Sequence, residues 1–325
     1  MWIRKSKREP AGVAVKPGTY HLKMTFGTAV SEQDITVAFD PRLEISQNAI
    51  HQKYDASKEL EGYQKALKEF EAFVTLLQKN NILVTVINDN NDTITPDAIF
   101  PNNWISFDEE HGIFLYPMFA LNRRLERDES ILETLKKNFS NQKITDLSYF
   151  ENENKFLEGT GSMVLDRINK IAYASLSPRT NKEVLDEFCR LTTYTPCSFR
   201  SVDSTRKIIY HTNVMMCVAD KYVVICLESI KNSVELNTIK KTIEHTNKKI
   251  IELTLQQINC FAGNMLQVKN KDGMIYLLMS TTAYQSLTTI QLEKLEKYNP
   301  ILHTNINTIE TIGGGSVRCM LAEIV

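Results

Sequence analysis

Apolar residues along this chain repeat with two alternating periods. Leu60, Tyr63, Leu67, Phe70, Val74 and Leu77 recur at steps of three and four, and Asp55 stands where an N-cap belongs. This pattern predicts a helix over 55–79. The stretch 82–87 is almost continuously apolar and runs into the Asn/Asp-rich segment 88–92, which predicts a buried strand and a turn. Short strands at 104–107 and 113–116 follow, then a helix near 127–139. The alternation recurs as strands 163–165 and 171–175 with a helix near 181–191, and as strands 214–219 and 222–227 with a helix near 229–246. It recurs again as strands 265–268 and 275–279 with a helix near 283–298, stopped by Pro300. The last residues, with apolar Met320, Leu321, Ala322, Ile324 and Val325, read as a buried strand.

Strand–strand–helix–strand units therefore return about every 55–65 residues. The tight turns between the first two strands of each unit dictate antiparallel pairing. The class is α/β, without a strictly parallel sheet. No Pro-, Ser- or Gly-rich linker divides the chain, which favours a single domain.

Composition narrows the function classes. The 325 residues are 42% hydrophobic and 24% charged with a formal net charge of −1, so no basic field draws nucleic acid. No apolar run approaches the ~20 residues of a membrane span. The N-terminus is basic but lacks the apolar stretch of a secretory signal. The six cysteines form no C-x-x-C pair and several lie inside apolar runs, the pattern of reduced thiols in a cytoplasmic protein. The histidines show no metal-binding spacing, so no metal and no other cofactor is expected. Self-association as a homo-oligomer is compatible with this composition.

Several segments carry candidate chemistry. Cys319 follows three consecutive glycines at 313–315, which let backbone approach a ligand closely. His211 immediately precedes an apolar strand and is the residue type that most often serves a nucleophilic thiol. Glu158 opens Glu-Gly-Thr-Gly at another strand mouth, where a carboxylate can hold a histidine or a substrate nitrogen. Asp97, Asn102 and Asn103 lie in a polar turn broken by apolar residues. Arg123-Arg124-Leu-Glu126 and the turn around Arg179 are basic, and arginine suits a carboxylate by its bidentate geometry. Taken singly, each has an ordinary role: buried thiol, structural histidine, solvated turn.

Together, "PDAIFPNN", "RRLE", "LEGTG", "LSPRTN", "YHTN" and the late cysteine resemble dimethylarginine dimethylaminohydrolase, a member of the pentein family of guanidine-modifying enzymes. "DAIFPNNWIS", "LYPM", "FLEGTGSMVLDR", "YHTNVMMCV", "FAGNM" and "GGGSVRCMLAEI" are more similar to the amidinotransferase-like, citrulline-utilisation hydrolase branch. The resemblance implies a five-bladed α/β propeller of ββαβ units over residues 34–325, with 1–33 as an N-terminal extension without counterpart. It implies that Cys319 attacks a guanidinium-type carbon, that His211 protonates the leaving amine and then activates water, and that Glu158 binds substrate nitrogen and orients His211. It also implies that Arg124 and Arg179 hold the substrate carboxylate and that Asp97 touches the substrate.

The chain departs from the guanidino enzymes at two positions. Their paired aspartates fall here on Asn103, beside Asn102, and on Asn213. An amide both donates and accepts hydrogen bonds, which suits a neutral ureido group better than a guanidinium. The expected substrate is therefore a ureido amino acid, L-citrulline foremost, hydrolysed to ornithine, ammonia and CO2. The alternatives are an arginine-type deiminase, a dimethylarginine hydrolase or an amidinotransferase, and, in another class, a catalytically silent binding module.

Overall fold

The computed structural model describes residues 2–5, 18–26, 29–37, 59–88, 95–138 and 143–324, with side chains described from residue 62 on. The predicted alternation is present as four three-stranded sheets built alike. In the first, Ile105–Asp108 and Gly112–Leu115 pair antiparallel, the helix Glu129–Asn138 crosses over, and Ile144–Asp146 joins parallel to the second strand. The second repeats this with Val164–Asp166, Ile171–Ser175, the helix Lys182–Thr192 and Thr195–Phe199. The third uses Met216–Val218, Tyr222–Ile225, the helix Ser233–His245 and Lys249–Glu252. The fourth uses Leu266–Lys269, Ile275–Ser280 and Ile301–Thr304. In each sheet the second strand lies in the middle.

This position explains the sequence pattern. Central strands such as Gly112–Leu115 and Tyr222–Ile225 are buried at every residue, so they read as continuous apolar runs. Outer strands such as Lys249–Glu252 bury one face only, and sequence alone gives them little signal.

Two further pairs lie outside the four sheets. Trp2–Lys5 pairs parallel with Thr85–Asn88, and Gly18–Phe26 forms a hairpin with Ala29–Val37. The predicted strand at 82–87 is thus shifted toward its C-terminal end. The first helix spans Glu59–Lys79, and Asp55 lies outside the described residues. Its Phe70, Phe73 and Leu77 bury against Phe100, Ile306 and Ile309.

Two expectations are corrected. The helix near 283–298 is two helices, Thr281–Ser286 and Thr289–Glu296. Leu287 is extended, and Thr288 restarts the helix by exchanging side-chain-to-backbone hydrogen bonds with Gln291, a capping box that ends one helix by beginning another. Residues 317–320 form a turn rather than a strand, because Cys319 N donates to Ser316 O and Leu321 N to Arg318 O. Met320 and Leu321 are fully buried all the same. Their apolarity marked burial, not extension.

Two of the three glycines pack against one ring, and the one between them caps a helix. Gly313 ends the helix Asn307–Gly313, and Gly314 adopts the left-handed conformation (φ 65°) that caps it. A methyl group at Gly315 would lie 2.7 Å from the fully buried ring of Phe100. Gly315→Ala is accordingly expected to cost about 1–3 kcal/mol by overpacking, read as a lowered thermal midpoint. An unchanged midpoint would show that Phe100 does not fix this loop.

Candidate active site

The polar side chains gather on short turns, most of which precede the first strand of a unit. Asn102 and Asn103 lie on the turn Pro101–Asn103, before Ile105–Asp108. Glu158 precedes the helical turn Gly159–Ser162, before Val164–Asp166. His211 precedes the turn Thr212–Val214, before Met216–Val218. Asn264 lies just before Leu266–Lys269, and Cys319 on the turn at 317–320.

Successive turns are tied by side chains. Thr160 Oγ1 donates to Asn102 O (3.4 Å), Thr212 Oγ1 to Ser162 O (2.6 Å) and Asn264 Nδ2 to Asn213 O (3.1 Å), while Arg318 N donates to Asn264 Oδ1 (2.9 Å). Two glycines make the closest approaches possible. A methyl at Gly159, whose φ is +45°, would lie 2.3 Å from Asn102 O. A methyl at Gly161 would lie 2.3 Å from Asn103 Nδ2 and 3.1 Å from His211 Nδ1. Asn103 and His211 therefore converge over one bare Cα.

Glu158 has no solvent exposure. Its Oε2 lies 2.7 Å from His211 Nε2 and 3.4 Å from Arg179 Nη1, and its Oε1 accepts from Phe119 N (3.0 Å). Burial works to raise the carboxyl. The guanidinium of Arg179, the hydrogen bond from His211 and the charge of Arg123 outweigh it and hold Glu158 well below the usual carboxylate range. Burial pulls His211 below its ordinary value. The Glu158 carboxylate opposes this, and the cations Arg179 and Arg123 add to it. An ionised carboxylate only accepts, so the ring proton sits on Nε2, leaving Nδ1 of the neutral ring as a lone pair beside Asn103. Arg179 lies over the Tyr210 ring at 4.9 Å and over Phe119 at 5.8 Å, so little conformational freedom is left to it.

Cys319 is buried with its sulfur facing amides. Asn264 Nδ2 is 3.2 Å and Asn213 Nδ2 3.4 Å from Sγ. The thiolate is the nucleophilic form, and both neighbours offer it N–H groups. Elsewhere burial pushes the thiols of Cys189 and Cys217 up to about 12 and Cys226 to about 11, as for inert core cysteines.

The remaining expected residues divide. Asp97 is fully buried, 3.8 Å from Arg123 Nε. Asn102 is fully buried with neither amide atom hydrogen-bonded. Arg124 lies further out, its side chain 25% exposed, donating to Met118 O (3.0 Å) and lying 5.7 Å from the Phe156 ring. The aromatic pair Phe119–Phe156, 5.3 Å apart, links Arg124 to Arg179.

Two residues make contacts that sequence reading did not assign to them. Arg123, the neighbour of Arg124, is fully buried. It grips both Glu126 oxygens (2.8 and 2.9 Å) and donates to Asn103 Oδ1 (2.7 Å) and Phe100 O (3.2 Å). The Arg-x-x-Glu spacing was the available signal. Asn264, within "FAGNM", had none beyond its place before a strand.

Among the described residues, no three His, Cys, Asp or Glu side chains gather as metal ligands, and no helix is long and apolar enough to cross a membrane.

Known proteins share this architecture. The fold is similar to that of pentein enzymes. Residues 36–325 match the family described as N,N dimethylarginine dimethylhydrolase, eukaryotic, and the chain belongs to that family. The full-length apo arginine dihydrolase ArgZ, from the ornithine–ammonia cycle of Cyanobacteria, superposes with a TM-score of 0.63 at 16% identity over 81% of this chain, which spans only 38% of that one. A variant N-terminal domain of ArgZ carrying a covalent reaction intermediate gives 0.64 at 16% identity, covering 81% of this chain and 87% of that one. A dimethylarginine dimethylaminohydrolase adduct with S-methyl-L-thiocitrulline gives 0.58 at 16% identity over 79% and 88%. At such identity these likenesses establish the fold. No curated protein sequence matches the chain.

Gly161→Ala is expected to reduce turnover about 100-fold, because the added methyl displaces Asn103 and the His211 ring together, with circular dichroism preserved. Near-normal turnover would separate this turn from the chemistry. The His211 imidazole is expected to titrate below ~6.5 by NMR. Glu158→Gln removes the one influence that raises it, so the midpoint should fall further. A midpoint that rises in Glu158→Gln would refute the pairing.

Proposed function

We propose that the protein is a thiol-dependent hydrolase acting at the carbon of a ureido group on an amino acid, with L-citrulline yielding ornithine, ammonia and CO2. The observations that carry this reading are the Glu158–His211 hydrogen bond and the amides that meet the Cys319 thiol, one of them from Asn213, two residues after His211. Cys319 supplies the nucleophile, and His211, through Nδ1, the acid and base. Glu158 orients the ring and keeps its proton on Nε2. Membership of a family named for dimethylarginine hydrolysis supports carbon–nitrogen cleavage at an amidino-type carbon. Arg179, with Arg124 further out, supplies guanidinium groups for a substrate carboxylate, and Asp97, Asn102, Asn103 and Asn213 line the reacting end.

The ureido preference rests on Asn103 and Asn213. A guanidinium is a donor with no acceptor, and burying it without a free carboxylate costs several kcal/mol. Here Glu158 is committed to His211 and Arg179, and Asp97 lies 3.8 Å from the buried guanidinium of Arg123. A second reading, hydrolysis of arginine itself to ornithine, is favoured by the structural likeness to an arginine dihydrolase. Both readings share the covalent Cys319 step.

The scaffold that fits this site is a five-bladed propeller: four like units, with Trp2–Lys5 and Thr85–Asn88 contributing to a fifth. Residues 34–325 then form the catalytic domain, and the extension 1–33 contributes its strand Trp2–Lys5 to the fifth unit. Free cysteines suit a reducing, cytoplasmic setting.

Incubation with citrulline, arginine and methylated arginines, scoring ornithine and citrulline, separates the readings. Ornithine from citrulline is expected, abolished in Cys319→Ala. Citrulline accumulating from arginine, with none consumed, would reverse the assignment. No turnover of any of them, with Cys319 alkylated no faster than the other thiols, would leave only a binding module.

A further inference from the structure

The orientation of one amide carries a consequence for which atom of the substrate is recognised. Asparagine O and N are nearly interchangeable in shape, but arginine has five donors and no acceptor. The atom of Asn103 that lies 2.7 Å from Arg123 Nη1 must therefore be Oδ1. Arg123 is itself immobile: it is fully buried, both Glu126 oxygens hold it, and Phe100 O accepts from its other edge. Asn103 cannot flip without setting N–H against N–H. Its Nδ2 is thereby turned the other way, buried and without a hydrogen-bond partner, toward the point above Gly161 that His211 Nδ1 also faces. A buried unpaired donor is costly to a resting protein and common where charge develops during a reaction.

We propose that Arg123 is a positioning residue that turns Asn103 into an oxyanion donor for the carbonyl oxygen of the substrate, and so selects a ureido over a guanidinium carbon. This rests on the hydrolase reading above. A guanidinium would meet Asn103 Nδ2 with another N–H, whereas a ureido oxygen accepts from it.

The steps balance as follows. The thiol gives its proton to Nδ1 of His211 as sulfur bonds to the ureido carbon, and the carbonyl electron pair moves onto oxygen, facing Asn103 Nδ2. The pair returns, the terminal carbon–nitrogen bond breaks, and that nitrogen leaves as ammonia with the proton from His211. Water adds to the resulting thiocarbamate, giving a proton to His211, and a second oxyanion forms against the same amide. The carbon–sulfur bond then breaks, sulfur recovers the proton, and the released carbamate loses CO2 to free the amine.

Two variants test this, in the full chain. Asn103→Asp keeps the shape and gives Arg123 a carboxylate partner, but replaces the donor by an acceptor. Its kcat for citrulline should fall about 100-fold or more. Alkylation of Cys319 by iodoacetamide should stay within about three-fold of wild type, since the thiol and its amides are untouched. Arg123→Lys keeps the charge but cannot hold both Glu126 oxygens and Asn103 together. Its kcat should fall about ten-fold with KM within about three-fold, a split that general loosening of the site would not give. Asn103→Asp with citrulline turnover near wild type, or with alkylation lost in step with turnover, would overturn the inference while leaving the hydrolase reading intact. A wild type inert toward citrulline and arginine alike would overturn that reading, and this inference with it. If Asn103→Asp does not fold, the kcat and KM of Arg123→Lys decide.

Discussion

A carboxylate with no access to solvent organises this site. An uncompensated charge at Glu158 would cost several kcal/mol, so the fold must bring partners to it. They come from separate places: the backbone N–H of Phe119, the imidazole of His211 and the guanidinium of Arg179. The turn beneath is drawn into the same set, because Ser162 Oγ donates to Arg179 O and accepts from Glu158 N. Satisfying one buried charge thus fixes the histidine's tautomer, the arginine's place between two aromatic rings and the spacing of two units. The second buried charge, Arg123, does the same for the first turn.

Much of the scaffold was legible. Central strands buried on both faces produce apolar runs, and helices with one buried stripe produce steps of three and four, so the repeated unit could be read directly. Outer strands such as Ile301–Thr304 could not, since none of that strand's residues is fully buried. The break at Leu287 was written in the spacing of Thr288-Thr-Ile-Gln, with Thr288 three residues before Gln291, but a continuing apolar stripe masked it. The tail misled because apolarity reports burial and not backbone shape.

In the site, legibility followed chemistry. His211 and Glu158 stood out because each is a reactive type at a strand mouth, and Cys319 because it is a thiol just after three glycines. Arg123 did not, because Arg124 beside it is the same residue, and only the tertiary position of Glu126 and Asn103 decides which of the two is interior. Asn264 did not, because asparagine before a strand is ordinary turn vocabulary. Its significance arises only where Asn213 and Cys319 meet it.

The hydrogen bonds that hold the sulfur span 55 and 106 positions of chain. Each such closure costs loop entropy, and contacts between residues far apart in the chain slow folding. Each unit can assemble its own sheet from local contacts, yet none of them owns the reactive centre. A half-folded molecule would therefore carry the Cys319 thiol without the amides of Asn213 and Asn264, which reach it only once units distant along the chain have docked.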